Sequence, residues 1–494
     1  MKYLSTRDES VRIESSYAIA KGISPEGGLF VPETIPRLTL DEIGALAGKS
    51  YVDRAKSILS RFLTDFTPEE LDSCVTGAYG SNFSSKKIAP MAFVKDVLNI
   101  LELFKGPTCA FKDMALQILP RFLTIAGKKA AGGTKIIILV ATSGDTGKAA
   151  LEGFRDVENT QILVFYPSDG VSPMQKLQMC TQEGKNVAVS AIKGNFDDAQ
   201  TGVKNIFTNP DIIKKLADNN MAFSSANSIN WGRLAPQIVY YVSAYCDMVE
   251  SGKISCGDKI NICVPTGNFG NILAAYYAKE MGLPVNKLIC ASNSNSVLTD
   301  FLTTCTYDRN REFYTTISPS MDILISSNLE RLLYHIAGSE KVNEWMSLLK
   351  AEGKYTVDDK TLSEIKDLFA AGFCDDEATK ATISKVFRED GYLCDTHTAV
   401  AVTVYENYRA QTGDMTETVI ASTASPFKFS KAVLEAIEGR ESSLDEFDMV
   451  KHLAEITGLE CPAPLANLKE KQVRFTGCCS RDNMDEVVFN MLGI

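Results

Sequence analysis

The sequence predicts an α/β fold in which parallel sheets are covered by helices on both faces. The prediction rests on a recurring unit: a short β-branched run ends in a loop rich in Gly, Ser or Thr, and the loop opens into a helix-forming segment. Ile136-Ile137-Ile138-Leu139-Val140 runs into Ser143-Gly144-Asp145-Thr146-Gly147 and then Lys148-Ala149-Ala150. Ile162-Leu163-Val164-Phe165 runs into Pro167-Ser168-Asp169-Gly170. The run from 260 to 264 leads into Gly267-Asn268-Phe269-Gly270-Asn271 and a helical stretch to Met281. Val419-Ile420-Ala421 leads into Ser422-Thr423-Ala424-Ser425-Pro426 and a helix to about Ile437. In open α/β sheets ligands sit beyond the carboxyl ends of the strands, so these loops are where chemistry is expected.

A chain of 494 residues accommodates about three folding units. Residues 1–85 read as a small N-terminal cap, with a turn at Ser24-Pro25-Glu26-Gly27-Gly28 and helices near 39–48 and 51–64. Residues 86–440 carry the strand–loop–helix rhythm, and 441–494 return to a charged, mixed composition that reads as a C-terminal extension packed on the rest. The net charge of −11 argues against broad nucleic-acid or anionic-membrane binding. A small anion remains compatible with it, because a nest of backbone amides holds phosphate locally. The 13 cysteines are scattered and odd in number, without CxxC spacing, and read as reduced, mostly buried thiols. With 3 histidines, no metal site is expected. No apolar leader opens the chain and no long uncharged apolar stretch follows, so a cytoplasmic protein is expected.

Among the loops, Gly267-Asn268-Phe269-Gly270-Asn271 is the clearest anion site: its glycines allow close backbone approach, and the following helix presents unpaired amides. The loop before Lys148 fails as a nucleotide P-loop, since Thr142 and Ala149 stand where glycine and a hydroxyl are required. Its hydroxyl and amide donors suit a carboxylate instead. Lys112 opens a helix with apolar positions at Ala115, Ile118, Leu119, Phe122 and Ala126, expected to bend at Pro120. An amine beside Phe111 at a helix start is partly desolvated, which favours its nucleophilic form.

The run from Leu101 through Thr108, followed by Ala110-Phe111-Lys112-Asp113, resembles the lysine motif of threonine synthases. Ala141-Thr142-Ser143-Gly144-Asp145-Thr146-Gly147, Ser225-Ala226-Asn227-Ser228-Ile229-Asn230 with Arg233, Val264-Pro265-Thr266-Gly267-Asn268-Phe269-Gly270, and Thr423-Ala424 with Pro426 and Lys428-Phe429 resemble their later motifs, in the family's order. Gly27-Gly28-Leu29-Phe30-Val31-Pro32 is similar to the family's capping domain. The resemblance implies a two-lobed pyridoxal-phosphate enzyme of fold type II, with a small lobe of about 107–225 and a large lobe of about 86–106 and 226–440. It implies conversion of O-phospho-L-homoserine and water to L-threonine and phosphate by a monomer or homodimer.

Each matched position then acquires an expected role. Lys112 would carry pyridoxal 5'-phosphate as a Schiff base and serve as acid and base. Gly267, Asn268, Phe269, Gly270 and Asn271 would bind the cofactor phosphate, Thr423 its ring nitrogen and Asp145 the neighbourhood of its hydroxyl. Ser143 and Thr146 would hold the substrate carboxylate, and Asn227, Ser228 and Arg233 its phosphate. The chain departs from the family at Ser425, where histidine is usual, at Phe427, at Asn271 in place of aspartate, and at Asp145 where relatives of the fold carry asparagine. His397 resembles a family position but reads as a structural histidine. The alternatives are a phospholyase that releases a 2-keto acid, a non-catalytic binding protein on the same fold, and a nucleotide-dependent kinase, the last disfavoured by the failed P-loop.

Overall fold

The computed structural model describes residues 1–95, 97–142, 144–169 and 171–494. Among them the strands form two large sheets and two small pairs. The larger sheet runs, in spatial order, Phe369–Phe373, Val285–Ser292, Ile260–Pro265, Thr418–Ser422, Leu98–Glu102 and Met91–Val94. Its neighbours are parallel except for the last, antiparallel edge. The second sheet runs Cys478–Ser480, Val187–Lys193, Thr160–Pro167, Lys135–Ala141 and Met221–Ser224, all parallel. Strands such as Ile260–Pro265 and Thr418–Ser422 are buried along their whole length, as the unbroken apolar runs require of strands covered on both faces.

The Trp231–Glu250 helix organises the large lobe. It is apolar on nearly every side and buried almost throughout, which marks an interior helix rather than an amphipathic one. It packs against Gly270–Met281 and against the cap helices Leu40–Ala47 and Tyr51–Phe62. The cap helices Leu40–Ala47 and Pro68–Ala78 start at Thr39 and Thr67 with reciprocal capping boxes to Glu42 and Glu70, and Tyr51–Phe62 is capped by Ser50. The cap is fastened to the long helix by buried Arg54, whose guanidinium donates to Asp247 at 2.6 Å and to the Ser243 hydroxyl at 2.8 Å.

One local feature differs from the sequence reading. The helix expected to run from Lys112 with a bend at Pro120 is two helices, Asp113–Leu116 and Leu119–Ala131. Pro120 lies in the first turn of the second, where its missing N–H costs nothing, so the proline starts a helix instead of bending one. The segment after residue 440 packs through a strand and a helix. Its strand Cys478–Ser480 pairs with Ala191, Ile192 and Lys193, covering an edge of the small-lobe sheet. Met484, Val488 and Leu492 of the Met484–Leu492 helix then complete the core against Ile137, Leu163 and Phe165.

The Asp145–Phe154 helix crosses the short Asp113–Leu116 turn so closely that a Cβ on Gly153 would lie 1.9 Å from the Leu116 carbonyl oxygen. The clash is with backbone, so one of the two segments would have to shift. Gly153→Ala is therefore expected to cost at least about 1–3 kcal/mol of stability, read as a lowered thermal midpoint; an unchanged midpoint would contradict this packing.

Candidate active site

Lys112 is held by stitches on either side of it. Asp113 accepts from the Thr108 backbone N–H at 2.8 Å and the Thr108 hydroxyl at 2.7 Å, folding residues 106–113 back on themselves. Gly106 has no room for a side chain there, since a Cβ would stand 2.5 Å from Asp113. Phe111 N–H donates to the Thr423 carbonyl at 2.8 Å, and Ser425 N–H donates to the Cys109 carbonyl at 3.0 Å. The lysine loop is thereby sewn to the loop beyond the carboxyl end of the strand Thr418–Ser422, where an α/β sheet places ligands.

Three buried charges then decide the state of the amine. Lys112 Nζ lies 3.9 Å from Asp145 Oδ2, 5.1 Å from the centre of the Phe111 ring, and donates to Ser320 Oγ at 3.1 Å. Lys428 Nζ sits closer to the same carboxylate, 2.8 Å from Asp145 Oδ1, and also donates to the Thr108 carbonyl at 2.9 Å. Burial disfavours the Asp145 carboxylate, but Lys428 and Lys112 together hold it well below the usual range. Burial likewise disfavours the Lys428 ammonium, and Asp145 more than compensates. For Lys112 burial wins: Asp145 opposes the shift, while Lys428 and Arg233 add to it, so its pKa falls. The nearer lysine is shifted toward its charged form and the farther one toward its neutral form, the direction a nucleophile needs.

The glycine loop opposite is built to receive an anion. The helix Gly270–Met281 begins without a side-chain cap, after Phe269 in the left-handed region at φ 61°. Asn271 Oδ1 accepts from the Tyr240 and Tyr241 hydroxyls at 2.5 and 2.6 Å, which fixes the amide and leaves its buried Nδ2 without a partner. Arg233 donates from Nη1 to the Ala226 carbonyl at 2.6 Å, while its buried Nε is also unpartnered. Burial pulls the Arg233 pKa down to about 10, so the group stays charged near neutral pH. A buried donor without an acceptor costs about 1–3 kcal/mol. Two such donors beside an uncapped helix start fit phosphate groups.

Most of the sequence-selected residues are connected by contacts. Gly267 faces Ser320, whose carbonyl oxygen would stand 2.8 Å from a Cβ on the glycine, and Ser320 touches Lys112. Asn328 Nδ2 donates to the carbonyls of Asn268 at 3.1 Å and Ser228 at 3.3 Å, joining the glycine loop to the 225–230 segment. Thr146 is half-buried in the first turn after Asp145. Asn227 is exposed, and its Oδ1 is occupied by the Ser228 hydroxyl and the Ile229 N–H. Ser143 lies outside the described residues. Asp145 faces Lys112 and Lys428 with both carboxylate oxygens. The sequence reading gave no role to Lys428, Ser320 or Asn328. A lysine between Phe427 and Phe429 was a usable signal for burial, whereas Ser320 and Asn328 sit in loop sequence without one.

Asp113 offers a pH test of the lysine loop. Burial raises its carboxyl from 3.8 to about 6, against the two Thr108 hydrogen bonds. A raised carboxyl stabilises the fold below its unfolded pKa and loses that contribution as pH rises through the folded value. Between about pH 4 and 6.5 the wild type should therefore lose on the order of 3 kcal/mol relative to Asp113→Asn, measured by parallel denaturation at each pH. Curves that stay parallel across that window would reject the buried, protonated carboxyl.

Comparison with known proteins agrees with this geometry. Residues 2–79 match the family model for the threonine synthase N terminus, and residues 398–487 match that for the threonine synthase C-terminal region. The chain is 41% identical over 438 residues to human threonine synthase-like 1, covering 86% of this chain and 58% of that protein. It thus spans little more than half the length of that relative. It is 37% identical over 480 residues to the threonine synthase of Pseudomonas aeruginosa, covering 96% of this chain and 95% of that one. The crystal structure of PLP-bound threonine synthase from Brucella melitensis superposes with a TM-score of 0.89 at 37% identity, over 99% of both chains. The chain belongs to the threonine synthase family.

Proposed function

We propose that the protein binds pyridoxal 5'-phosphate through Lys112 and converts O-phospho-L-homoserine and water to L-threonine and phosphate. The observation that carries the proposal is a half-buried lysine with a lowered pKa, linked through Ser320 to a glycine loop whose following helix carries an unpaired buried donor. The Pseudomonas aeruginosa relative and the superposable structure, which are threonine synthases by name, support the same reading.

When bound, the cofactor supplies an electron sink that lets protons leave the α and β carbons and phosphate leave the γ carbon. The chain's own groups do the rest. Gly267, Asn268, Phe269, Gly270 and Asn271 hold the cofactor phosphate with first-turn amides and Asn271 Nδ2. Thr423 serves the ring nitrogen, and Asp145 keeps Lys428 charged beside the site. Thr146, with Ser143, grips the substrate carboxylate at a helix N-terminus. Ser228, Asn227 and charged Arg233 hold the substrate phosphate, Arg233 offering its free Nε. Lys112 moves protons between substrate carbons, and the walls of the cleft exclude water until it is needed at the β carbon.

The phospholyase alternative would draw on the altered 425–427 stretch. Phe427 is packed in the core, which gives that change a structural reason, and Ser425 is buried beside the lysine loop, its backbone N–H donating to the Cys109 carbonyl. The 13 thiols are all free, which supports a reducing compartment such as the cytoplasm.

Incubation with O-phospho-L-homoserine should yield threonine and phosphate in equal amounts, and 2-oxobutyrate as the main organic product would reject the proposal. Lys112→Ala should abolish the visible absorbance of the cofactor-loaded protein near about 410–430 nm. Arg233→Leu should raise KM for the phosphorylated substrate by about 10–100-fold while leaving cofactor absorbance intact; an unchanged KM would remove Arg233 from the substrate site.

A further inference from the structure

The Lys112 amine has a hydrogen-bond partner that none of the recognised loops supplies. Ser320 lies in the short turn Pro319–Met321 and accepts from Lys112 Nζ at 3.1 Å. Its Oγ has no other hydrogen-bond partner among the described residues. The turn is anchored below by Asp322, whose carboxylate accepts from Asn293 Nδ2 at 2.7 Å, Asn295 Nδ2 at 3.0 Å, and the Thr316 hydroxyl and N–H at 2.7 and 3.0 Å.

From the side, the turn is gripped by a histidine. Ser320 N–H donates to His397 Nε2 at 3.2 Å, and His397 Nδ1 lies 2.7 Å from Asp395 Oδ2. A backbone N–H only donates, so Nε2 must present its lone pair, and Nδ1 carries the proton and donates to Asp395. Asp395 is itself immobilised as the cap of the helix Thr396–Thr412, accepting from the backbone of His397 and Thr398 at 3.0 and 3.1 Å. The histidine is thus locked in one tautomer, and both residues are buried. A buried acid and imidazole held this firmly are costly to desolvate, and what they hold is the backbone of the residue touching the reactive amine.

We propose that Ser320 is a catalytic residue that accepts a hydrogen bond from the Lys112 amine and aims it at the substrate carbons, and that Asp395 and His397 are a positioning pair that fixes Ser320. The inference rests on Lys112 being the cofactor lysine. The charged groups facing that amine are Asp145, Lys428, Arg233 and Asp113, and Ser320 is the neutral hydroxyl among them. An acceptor in that place stabilises the protonated nitrogen relative to the neutral one.

The test uses the cofactor-loaded full chain and four variants, Ser320→Ala, His397→Gln, His397→Leu and Lys112→Ala. Ser320→Ala should lower kcat about 10–100-fold with little change in KM and shift the pH titration of the visible absorbance to lower pH. His397→Gln, whose amide oxygen can still accept from Ser320 N–H, should stay close to wild type in both readouts, and His397→Leu should follow Ser320→Ala. A merely structural role would lower thermal stability or cofactor affinity without moving the titration. Ser320→Ala with wild-type kcat and titration overturns the inference, and equal damage from His397→Gln and His397→Leu overturns its positioning half. If His397→Leu does not fold, Ser320→Ala and His397→Gln still decide. A wild type whose visible absorbance is absent, or persists in Lys112→Ala, overturns the reading of Lys112 and the inference with it, whereas lysine-linked absorbance with an unaffected Ser320→Ala overturns the inference alone.

Discussion

The carboxylate of Asp145 shared unequally between Lys428 and Lys112 is the interaction on which the rest of the site depends. It joins the two lobes. Asp145 starts the helix after the strand Lys135–Ala141 of the smaller sheet, and Lys428 lies in the turn after Thr418–Ser422 of the larger one. Buried ion pairs add little net stability, because desolvation consumes most of the attraction, and breaking one leaves an uncompensated charge. The arrangement is better understood through what it does to the third group. With Lys428 taking the closer position, Lys112 is left half-buried among cations with the carboxylate at 3.9 Å, and its pKa is lowered.

A second constraint is the set of donors held without acceptors. Asn271 and Arg233 come from different helices, yet both are prepared by the same Trp231–Glu250 helix. Tyr240 and Tyr241 turn the Asn271 amide, and Arg233 stands in the first turn, behind the Asn230 cap. Arg331 extends this framework to the N-terminal cap. Its buried guanidinium donates to the Phe30 carbonyl at 2.9 Å and the Ile229 carbonyl at 2.6 Å, so the cap braces the segment next to Ser228. A net charge of −11 does not oppose the proposed phosphate binding, because these donors are local and desolvated, where the overall charge is of little consequence.

Much of this was legible in the chain. The strands were visible because fully buried parallel strands need continuous β-branched runs. The glycine loop was visible because close backbone approach excludes side chains, as Gly267 against Ser320 illustrates. Of the departures at Ser425 and Phe427, which looked like changes of specificity, Phe427 fills core, and nothing in the structure explains serine at 425. The end of the chain was less legible. Cys478-Cys479-Ser480 is too short and too polar to read as a strand, and becomes one because an unpaired sheet edge at Val187–Lys193 accepts it.

The sequence by itself determined the alternation of strands and helices and the glycine loop, because these depend on local periodicity and glycine geometry, and it singled out Lys112 through the ordered motifs it shares with the family. Only the tertiary structure decided which lysine is shifted toward its charged form, which donors remain unpaired, and that Ser320, His397 and Asp395 converge on Lys112 from segments far apart in the chain. The physical reason is that charge state and hydrogen-bond satisfaction depend on distances of a few ångströms between non-local groups, and those distances are set by how the two sheets pack.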